Sequence, residues 1–555
     1  MKAALYIILL PSFLLAGCID AGEPADGFLG RYQRLLVDGG PQPRGDGGLA
    51  PYRPAATTEL PPLDIAMDSD HGMKSVRLSL EEAVVHVLVG STDIGVAAFN
   101  PAVARRDVRE AAAEFDLLVF AEARRDKRDE RTDSTAGGGL SDLVLAEGGL
   151  SQKLPTGGEW TLSWALSRTR DDVITRTLQP RYEQAGTVEL TQPLLRNAWP
   201  QVNLARLRLA RVTYRQELAA FRRKVEETVA ATYAAYWSLV QARGDVTIQR
   251  ALVAGTRATL ERLQARAELD ATSVQIKQTE AALHARQESL LLAEKRVADV
   301  EDELARLLSH PELSPVEHVR IEPTTAMAAE PVEMDRQDQL LQALYHSPVL
   351  AEAREQIAAA DIRLDVAENQ ALPRLDLTAS SRIHGLGTTM HEAGEKIGTL
   401  DYVGHTIGLR FEYPLGNRAR LAAVDRARLQ RMQAITRLQD TADKLAVRVN
   451  ERLRAARVAR ERIRVERAAI ASAEVQLQAI QDTEEIRGVL TPEFILVKLQ
   501  AQETLAEARR RELQARQDYN VALVELARET GTLLNLPRVE IALPATKASD
   551  GSSGP

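Results

Sequence analysis

The sequence predicts a mainly α-helical fold with a small membrane β-barrel contribution, in which one helix–strand–strand–helix unit occurs twice. Long stretches rich in Ala, Leu, Glu, Arg and Gln contain few prolines, which is typical of long helices or coiled coils. Short segments between them alternate between apolar and polar residues, which is typical of strands with two different faces. A pattern around Pro193 returns around Pro414, and this return indicates a duplication.

Composition excludes several broad classes of protein. Hydrophobic residues make up 45% of the chain and charged residues 27%, and the mean hydropathy is −0.23. No interior run approaches the roughly 20 apolar residues that a spanning helix needs. The chain is also too apolar and too regularly patterned to be disordered. The formal net charge of −8 argues against a nucleic-acid partner.

The amino terminus has the pattern of a bacterial lipoprotein signal peptide. Lys2 precedes an apolar stretch that is too short to span a membrane and is typical of a secretory signal. Leu15-Ala16-Gly17-Cys18 then matches a lipobox, in which small residues admit the peptidase and the thiol accepts diacylglycerol. We therefore expect a covalent lipid on Cys18, the one cysteine of the chain, rather than a lone buried thiol. By resemblance to bacterial lipoproteins, Ile19 directly after the cysteine favours the outer membrane.

The chain divides into six predicted segments. They are a lipoprotein signal peptide at 1–17, a lipidated flexible tether at 18–75, a first structural repeat at 76–310, a linker at 311–335, a second structural repeat at 336–535 and a C-terminal tail at 536–555. The repeats rest on residues 190–197, which have an echo at 411–417, and on the 221 residues (414 − 193) between the two prolines.

Pro193 and Pro414 mark the predicted junctions between strand and helix. A proline holds the preceding residue extended, and it is tolerated at the first helical position because that N–H has no helical partner. We therefore expect each strand to run directly into a long helix.

Four strands per chain are predicted from alternation. In each of them apolar residues recur at every second position; the segments are 160–167, 187–191, 375–380 and 406–413. Such strands are typical of an outer-membrane barrel facing lipid and water, and four are too few to close one, so several chains would be needed. The alternative is a half-buried sheet in a soluble sandwich. A hairpin around residues 153–158 could add strands, and the sequence leaves this open.

The helices show coiled-coil periodicity, and each half is predicted to contain one long helix of about 70 residues that turns at its end and comes back. In the first copy a seam from Tyr214 to Val240 repeats every eleven residues, and in the second a seam from Ile435 to Leu477 repeats every seven. The second hairpin is predicted to turn at residues 487–492, with Gly488 as C-cap, Thr491 as N-cap and Pro492 as the first helical residue. The first turns at 266–272, with Asp270 or Thr272 as cap.

Together these features resemble the TolC-like outer-membrane efflux factors, within their lipoprotein subgroup. The likeness spans residues 76–535 and is carried by 190–197, 375–379, the turn at Gly488 and Asp518-Tyr519-Asn520. The resemblance implies a homotrimer with an α-helical tunnel and a shared outer-membrane β-barrel, lipid-anchored in a Gram-negative bacterium and extending into the periplasm. It also implies a passive conduit that docks onto a periplasmic adaptor (membrane fusion) protein bound to an inner-membrane pump.

The resemblance assigns roles to the two hairpin tips. The adaptor-docking residues would be Gly488, Val489, Leu490, Thr491, Asp270, Ala271 and Thr272. Many relatives have acidic residues after the second tip, whereas here Glu493 is followed by apolar Phe494 and Val497. We therefore expect a gate that is closed partly by apolar side chains.

No enzyme is predicted. The chain lacks the phosphate-binding loop, zinc-protease and serine-hydrolase motifs, so no catalytic residue and no cofactor other than the lipid on Cys18 is expected. His384, His391 and His405 have no spacing that suits a metal site, and none is predicted. The competing interpretation is a lipid-anchored periplasmic coiled-coil scaffold or adaptor without a pore. The sequence does not identify the cargo or the class of pump.

Overall fold

The computed structural model describes most of both predicted repeats. The described residues are 63–67, 74–131, 139–171, 173, 177–266, 268, 272–313, 319–328, 330, 332–487 and 491–535. The predicted signal peptide, Cys18 and the C-terminal tail lie outside them.

The first half of the chain contains six strands and five helices within these residues. In chain order they are β1 (Asp64–Met67), β2 (Lys74–Leu78), α1 (Leu80–Gly90), α2 (Thr92–Ala112), β3 (Leu118–Asp129), β4 (Leu140–Lys153), β5 (Glu159–Asp171), β6 (Arg181–Pro193), α3 (Pro200–Asn203), α4 (Ala205–Ala265) and α5 (Ser273–Leu308). A short 3-10 turn, Ala113–Phe115, follows α2, and another, Pro311–Leu313, follows α5.

The second half repeats this order with fewer strands. Its elements are β7 (Arg320–Pro323), α6 (Arg336–His346), α7 (Pro348–Gln370), β8 (Arg374–Gly387), α8 (Met390–Gly398), β9 (Val403–Glu412), α9 (Arg418–Arg487) and α10 (Pro492–Glu529), and a 3-10 turn, Leu533–Asn535, ends the described chain. The predicted mainly helical, duplicated fold is therefore confirmed, and the two long hairpins are α4–α5 and α9–α10.

The same helix break opens both halves. Ser91 separates α1 from α2 with φ −61° and ψ 122°, and Ser347 separates α6 from α7 with φ −62° and ψ 124°. Each serine N–H still donates to the carbonyl four residues earlier, so the chain bends without losing that hydrogen bond. Among the described helices, none is long and apolar enough to cross a membrane alone; Leu80–Gly90 and Thr92–Phe115 meet the criterion together, with a 43° bend between them.

The main sheet has six antiparallel strands in the order β3-β4-β5-β6-β8-β9. All four predicted strands are present, as β5, β6, β8 and β9, but the expected number of four is too low because β3 and β4 extend the sheet. Residues 154–158 form the turn that joins β4 to β5, so the hairpin that the sequence left open belongs to the same sheet.

The prediction that each strand runs directly into a helix is wrong. Pro193 is the last residue of β6, and the next helix begins at Pro200; Pro414 is likewise separated from α9, which begins at Arg418. Each connection contains an asparagine with positive φ, Asn197 at 63° and Asn417 at 41°. Asparagine tolerates this left-handed region, so the chain turns sharply before the helix starts. It is Pro200 that occupies a first helical position.

The predicted helical seams point into the core. In α4 (61 residues) the two end residues of the seam, Tyr214 and Val240, are half-buried, and the seam residues between them are buried, namely Leu218, Phe221, Val225, Val229, Thr232 and Tyr236. In α9 (70 residues) Val449, Ala456 and Ile463 are buried, and the rest of the heptad seam is half-buried. The length of about 70 residues therefore holds for α9, whereas α4 is shorter.

A small sheet and the linker between the halves are tied to the long helices by three side chains. β2 pairs antiparallel with β1 and parallel with β7. The hydroxyl of Tyr236 donates to Leu78 O (3.0 Å) and accepts from Thr325 N–H (2.9 Å). Tyr519 accepts from Val332 N–H (3.1 Å), and Asn520 binds both backbone groups of Ala328. The sequence motif that contains Tyr519 and Asn520 therefore holds the linker against α10 through these hydrogen bonds.

A buried histidine lies where α1 meets the end of α5. His86 is 1% exposed, and neither ring nitrogen has a hydrogen-bond partner. Its ring stands edge-on to that of His310, with centroids 5.1 Å apart. Burial lowers the pKa of His86, His310 lowers it further, and Glu82 opposes the shift. Burial likewise lowers the pKa of His310, with Glu312 opposing.

These shifts predict loss of stability in mild acid. Below pH 6.5 the unfolded chain binds a proton at His86 that the folded chain does not, so folding weakens by up to about 1.4 kcal/mol per pH unit for each such proton. Urea unfolding of the purified protein between pH 7.5 and 5.5 measures this. His86→Leu should flatten the pH dependence, and His391→Leu, at an 87% exposed side chain, should leave it unchanged. An equal dependence in wild type and His86→Leu would contradict the assignment.

Candidate functional site

The six-stranded sheet has one apolar face that no described residue of this chain covers for most of its extent. Ile407, Leu409 and Phe411 are 79%, 69% and 66% exposed, and Trp164 on β5 is 46% exposed. The strand register places Leu162 beside Val188 and Leu377 beside Leu409, so apolar side chains of neighbouring strands lie side by side on this face. A large apolar surface of this kind marks contact with lipid or with another protein.

The opposite face of the sheet is polar. One row across it runs through Ser151, Thr161, Glu189, Ser380 and Thr406. The predicted alternation is therefore confirmed in register.

At the end of the sheet nearest the long helices, charged groups join the two halves of the chain. Arg196, which is 8% exposed, lies 3.7 Å from Glu412, and Arg374 contacts both Asp376 (2.5 Å) and Glu412 (3.9 Å). These ion pairs hold the two halves together at one end of the sheet. The sheet itself has one polar and one apolar face, so it can separate water from lipid.

The helix starts at the two hairpin ends have the predicted caps. Thr272 caps α5 and forms a capping box with Gln275: its hydroxyl accepts from Gln275 N–H (3.3 Å), and its own N–H donates to Gln275 Oε1 (2.7 Å). Thr491 caps α10 by accepting from Phe494 N–H (3.3 Å), and Pro492 is the first helical residue. The other predicted docking residues, Asp270, Ala271, Gly488, Val489 and Leu490, lie outside the described residues.

The three candidate gate residues occupy different environments in the first turns of α10. Glu493 is exposed, and Val497 is 49% exposed. Phe494 is half-buried and packs against a cluster formed by Leu263 of α4 and Ile495 and Leu499 of α10. Phe494 therefore helps to join the two hairpins, whereas Val497 faces outward.

One buried arginine links the two hairpins close to these ends. The guanidinium of Arg286 on α5 donates to Leu499 O (2.8 Å) and Gln502 Oε1 (3.1 Å) on α10, and also to Thr256 Oγ1 on α4. Burial lowers the pKa of Arg286, and Glu503, 3.3 Å from Nε, opposes the shift. The charge is therefore held in place by partners from two other helices, α4 and α10.

A second buried cation, Lys498, lies on α10 just before the residues that bind Arg286, and so nearer the tip of the second hairpin. Lys498 is 4% exposed, and its ammonium lies 2.5 Å from the carboxylate of Glu484 on α9. Arg262 at the end of α4 also reaches Glu484, at 3.3 Å. This pair connects the arms of the second hairpin and touches the first.

Arg286 and Lys498 were not among the residues predicted from the sequence, although a signal was present. Arg286 follows buried Leu283 by three positions, and Lys498 lies between buried Ile495 and Leu499. A charged residue on an otherwise apolar helical face must find a partner when that face is buried, so these positions could have been identified as links between helices.

The three histidines of the strand region are not brought together as ligands. His384 lies on the polar face with its ring 5.8 Å from that of Tyr402, His391 pairs with Glu395 at 3.3 Å, and His405 is exposed on β9. Within the described ranges, no three His, Cys, Asp or Glu side chains are grouped so that they could hold a metal ion.

Comparison with known proteins identifies the fold. Residues 340–532 match the sequence model of the family described as outer membrane efflux protein. Among solved structures, the outer membrane protein VceC of Vibrio cholerae has a TM-score of 0.61 at 19% identity, over 81% of this chain and 96% of that one. The CmeC outer membrane channel of Campylobacter jejuni has 0.60 at 13% identity, over 82% and 86%. The open-state MtrE channel of Neisseria gonorrhoeae has 0.59 at 14% identity, over 82% and 89%. Comparison with curated proteins found no match.

The buried pair at the second hairpin predicts a mutational effect. Lys498→Met should lower the free energy of unfolding by about 3 kcal/mol, because removing one partner leaves the Glu484 carboxylate buried with only Arg262 nearby. Lys444→Met removes an exposed pair with Asp440 on α9, and should cost about 0.5 kcal/mol or less. Urea unfolding measures both, and similar losses in the two variants would show that the buried pair has no special role.

Proposed function

We propose that this chain, which contains an outer membrane efflux protein domain and has the fold of outer-membrane channels, is the outer-membrane component of a tripartite efflux or secretion system. Three copies assemble, their sheets close a shared barrel, and their long helices form a tunnel into the periplasm. The protein is a passive conduit and not an enzyme.

The observation that carries this proposal is the two-faced sheet with open edges. Ile407, Leu409 and Phe411 expose an apolar face that suits lipid, while Thr161, Ser380 and Thr406 supply a polar face that suits a water-filled pore. A periplasmic scaffold without a pore has no use for such a surface.

The hairpin tips are the proposed docking points for the periplasmic adaptor, and through it for an inner-membrane pump. Thr272 and Thr491 fix where the second arm of each hairpin begins. The docking set is Asp270, Ala271, Thr272, Gly488, Val489, Leu490 and Thr491. The pump supplies the energy, because the chain has no nucleotide-binding motif of its own.

The amino terminus is proposed to anchor each copy in the outer membrane of a Gram-negative bacterium. A diacylglyceryl group on Cys18 inserts into the inner leaflet, and residues 18–75 connect it to the first repeat at 76–310. The linker at 311–335 then leads into the second repeat at 336–535.

The assembly is tested by purifying the full-length protein from outer-membrane fractions in mild detergent. We expect a particle near 183 kDa, three times 61.0 kDa, plus detergent, which forms ion-conducting channels in planar bilayers. A monomer or dimer that high salt releases from the membrane, or that floats with the inner membrane, would instead support the scaffold.

The gate is tested on the same channels. We propose that apolar side chains near the second tip hold the resting channel closed by excluding water. Val497→Asp should raise the conductance of the resting channel severalfold, and Phe494→Ala should do so by loosening the packing against Leu263. Leu292→Asp, at an exposed apolar position of α5 away from the tip, is the control and should have no effect. Unchanged conductance in both tip variants would exclude an apolar gate there.

A further inference from the structure

Resting on the proposed trimeric channel, we propose that the barrel contains 18 strands, six from each of three copies, and that the β3–β4 hairpin is part of its lipid-facing wall. Each copy then meets the next by pairing its β3 edge with the β9 edge of its neighbour. The sequence alone predicts four strands per copy, and therefore 12.

The apolar rows of the sheet continue onto the hairpin without a break. Leu162 on β5 has Leu150 on β4 as its register partner, and Leu150 in turn has Val119 on β3. The next row runs from Trp164 through Gly148 to Ala121. The opposite face of the hairpin is mixed: Glu122, Arg124, Asp126 and Glu147 lie there together with Leu118, Phe120, Leu143 and Leu145. What aligns the hairpin with the sheet is therefore the continuity of the apolar rows and not an absence of apolar residues from its other face.

The apolar band also ends at the same level in the hairpin and in the rest of the first half. The row beyond Ala123 and Leu166 places Arg125 on β3 and Arg168 on β5, both on the otherwise apolar face. Arg125 donates to both carboxylate oxygens of Asp142 at 2.9 Å. Charges begin there because that row lies at the water end of the strands, away from the long helices.

The hairpin is fastened at its base to the helical part of the chain. Gln152 on β4 donates to Phe115 O (2.9 Å) after α2, and Lys153 forms an ion pair with Glu114. In the turn that follows, the carbonyl of Thr156 accepts from Trp199 N–H (3.2 Å) at the entry to α3. These contacts hold β4 in line with β5, so the hairpin cannot swing away as a loop would.

The two outer edges of the sheet are complementary. Within the described residues no strand pairs with the free side of β3 or of β9, and nearly every residue of both strands is exposed. β3 runs away from the long helices and β9 runs toward them, so a β3 edge and a β9 edge of two copies meet antiparallel. Open edges in hydrocarbon cost several kcal/mol for each unpaired backbone group, and mutual pairing removes that cost.

The strand number determines how wide the exit is. Barrel diameter grows roughly linearly with strand number, so 18 strands give about 1.5 times the diameter and about 2.3 times the cross-section of 12. The exit is then wide enough for an open aqueous channel of porin size, and the helical tunnel becomes the narrow part of the path.

Cysteine cross-linking of the full-length protein in outer membranes tests the edge pairing. Thr406→Cys on β9 is combined in turn with a cysteine at each polar-face position of β3, so that every register between the two edges is sampled; the positions are Leu118, Phe120, Glu122, Arg124, Asp126 and Arg128. The matched controls combine Thr406→Cys with Thr161→Cys or Ser163→Cys on β5. All these positions lie on the polar face. A disulfide forms only when the two Cβ atoms come within about 4.5 Å, so the yield of cross-linked dimer reports which strands are adjacent.

We expect cross-linked dimers with the β3 cysteines and none with the β5 cysteines. Dimers with the β5 cysteines, or a trimer that forms no dimer with any of the β3 cysteines, would overturn the proposal while leaving the channel intact. A particle that is not a trimer would instead refute the proposed function itself. If a paired variant fails to fold, a strand count in an electron-density map of the wild-type trimer decides between 18 and 12.

Discussion

The rest of the structure depends on a hydroxyl group in the middle of the longest helix of the first half. Tyr236 is fully buried, and its oxygen joins the end of β2, at Leu78, to the linker between the halves, at Thr325. The same helix, α4, packs against α1, α2, α5, α7 and α10. Because elements from both halves contact this one helix, fixing the linker to its centre helps to fix how the halves are arranged.

Much of the fold follows from periodicity that is visible in the sequence. The seven-residue seam through Val449, Ala456 and Ile463 predicts a helix with one buried stripe, and the structure has it. The alternation around Leu409 predicts a strand with an apolar face. Both patterns are long enough to outweigh local exceptions, since each repeated position adds evidence for the same face. Thr272 and Thr491 can be predicted as caps because a hydroxyl directly before a helix commonly accepts a hydrogen bond from a backbone N–H of the first turn.

The missed parts have physical reasons. β4 contains Gly148-Gly149, which indicates a turn, yet a Cβ on Gly149 would lie 2.3 Å from Leu162 O and 2.8 Å from the ring of Phe120. Gly149 is therefore required because Leu162 and Phe120 on the neighbouring strands leave no room for a side chain. The sequence does not show which residues will lie on neighbouring strands. The partners of Arg286 could not be predicted for the same reason, because they lie on α4 and α10, far from Arg286 in the sequence. The turns at Asn197 and Asn417 were obscured by the prolines before them, whose role is to end the strand rather than to start the helix.

The position of the β3–β4 hairpin has a consequence for how such chains diversify. A hairpin returns the chain to the end of the sheet from which it left, so it can be inserted between the end of α2 and the start of β5 without moving either neighbour. The hydrogen bond from Trp199 N–H at the entry to α3 to the carbonyl of Thr156 holds the β4–β5 turn in place, so the inserted hairpin joins the sheet at a fixed position. A chain of this fold could therefore gain or lose strands two at a time while its helices stay unchanged. Evolution could then change the size of the sheet independently of the hairpin tips.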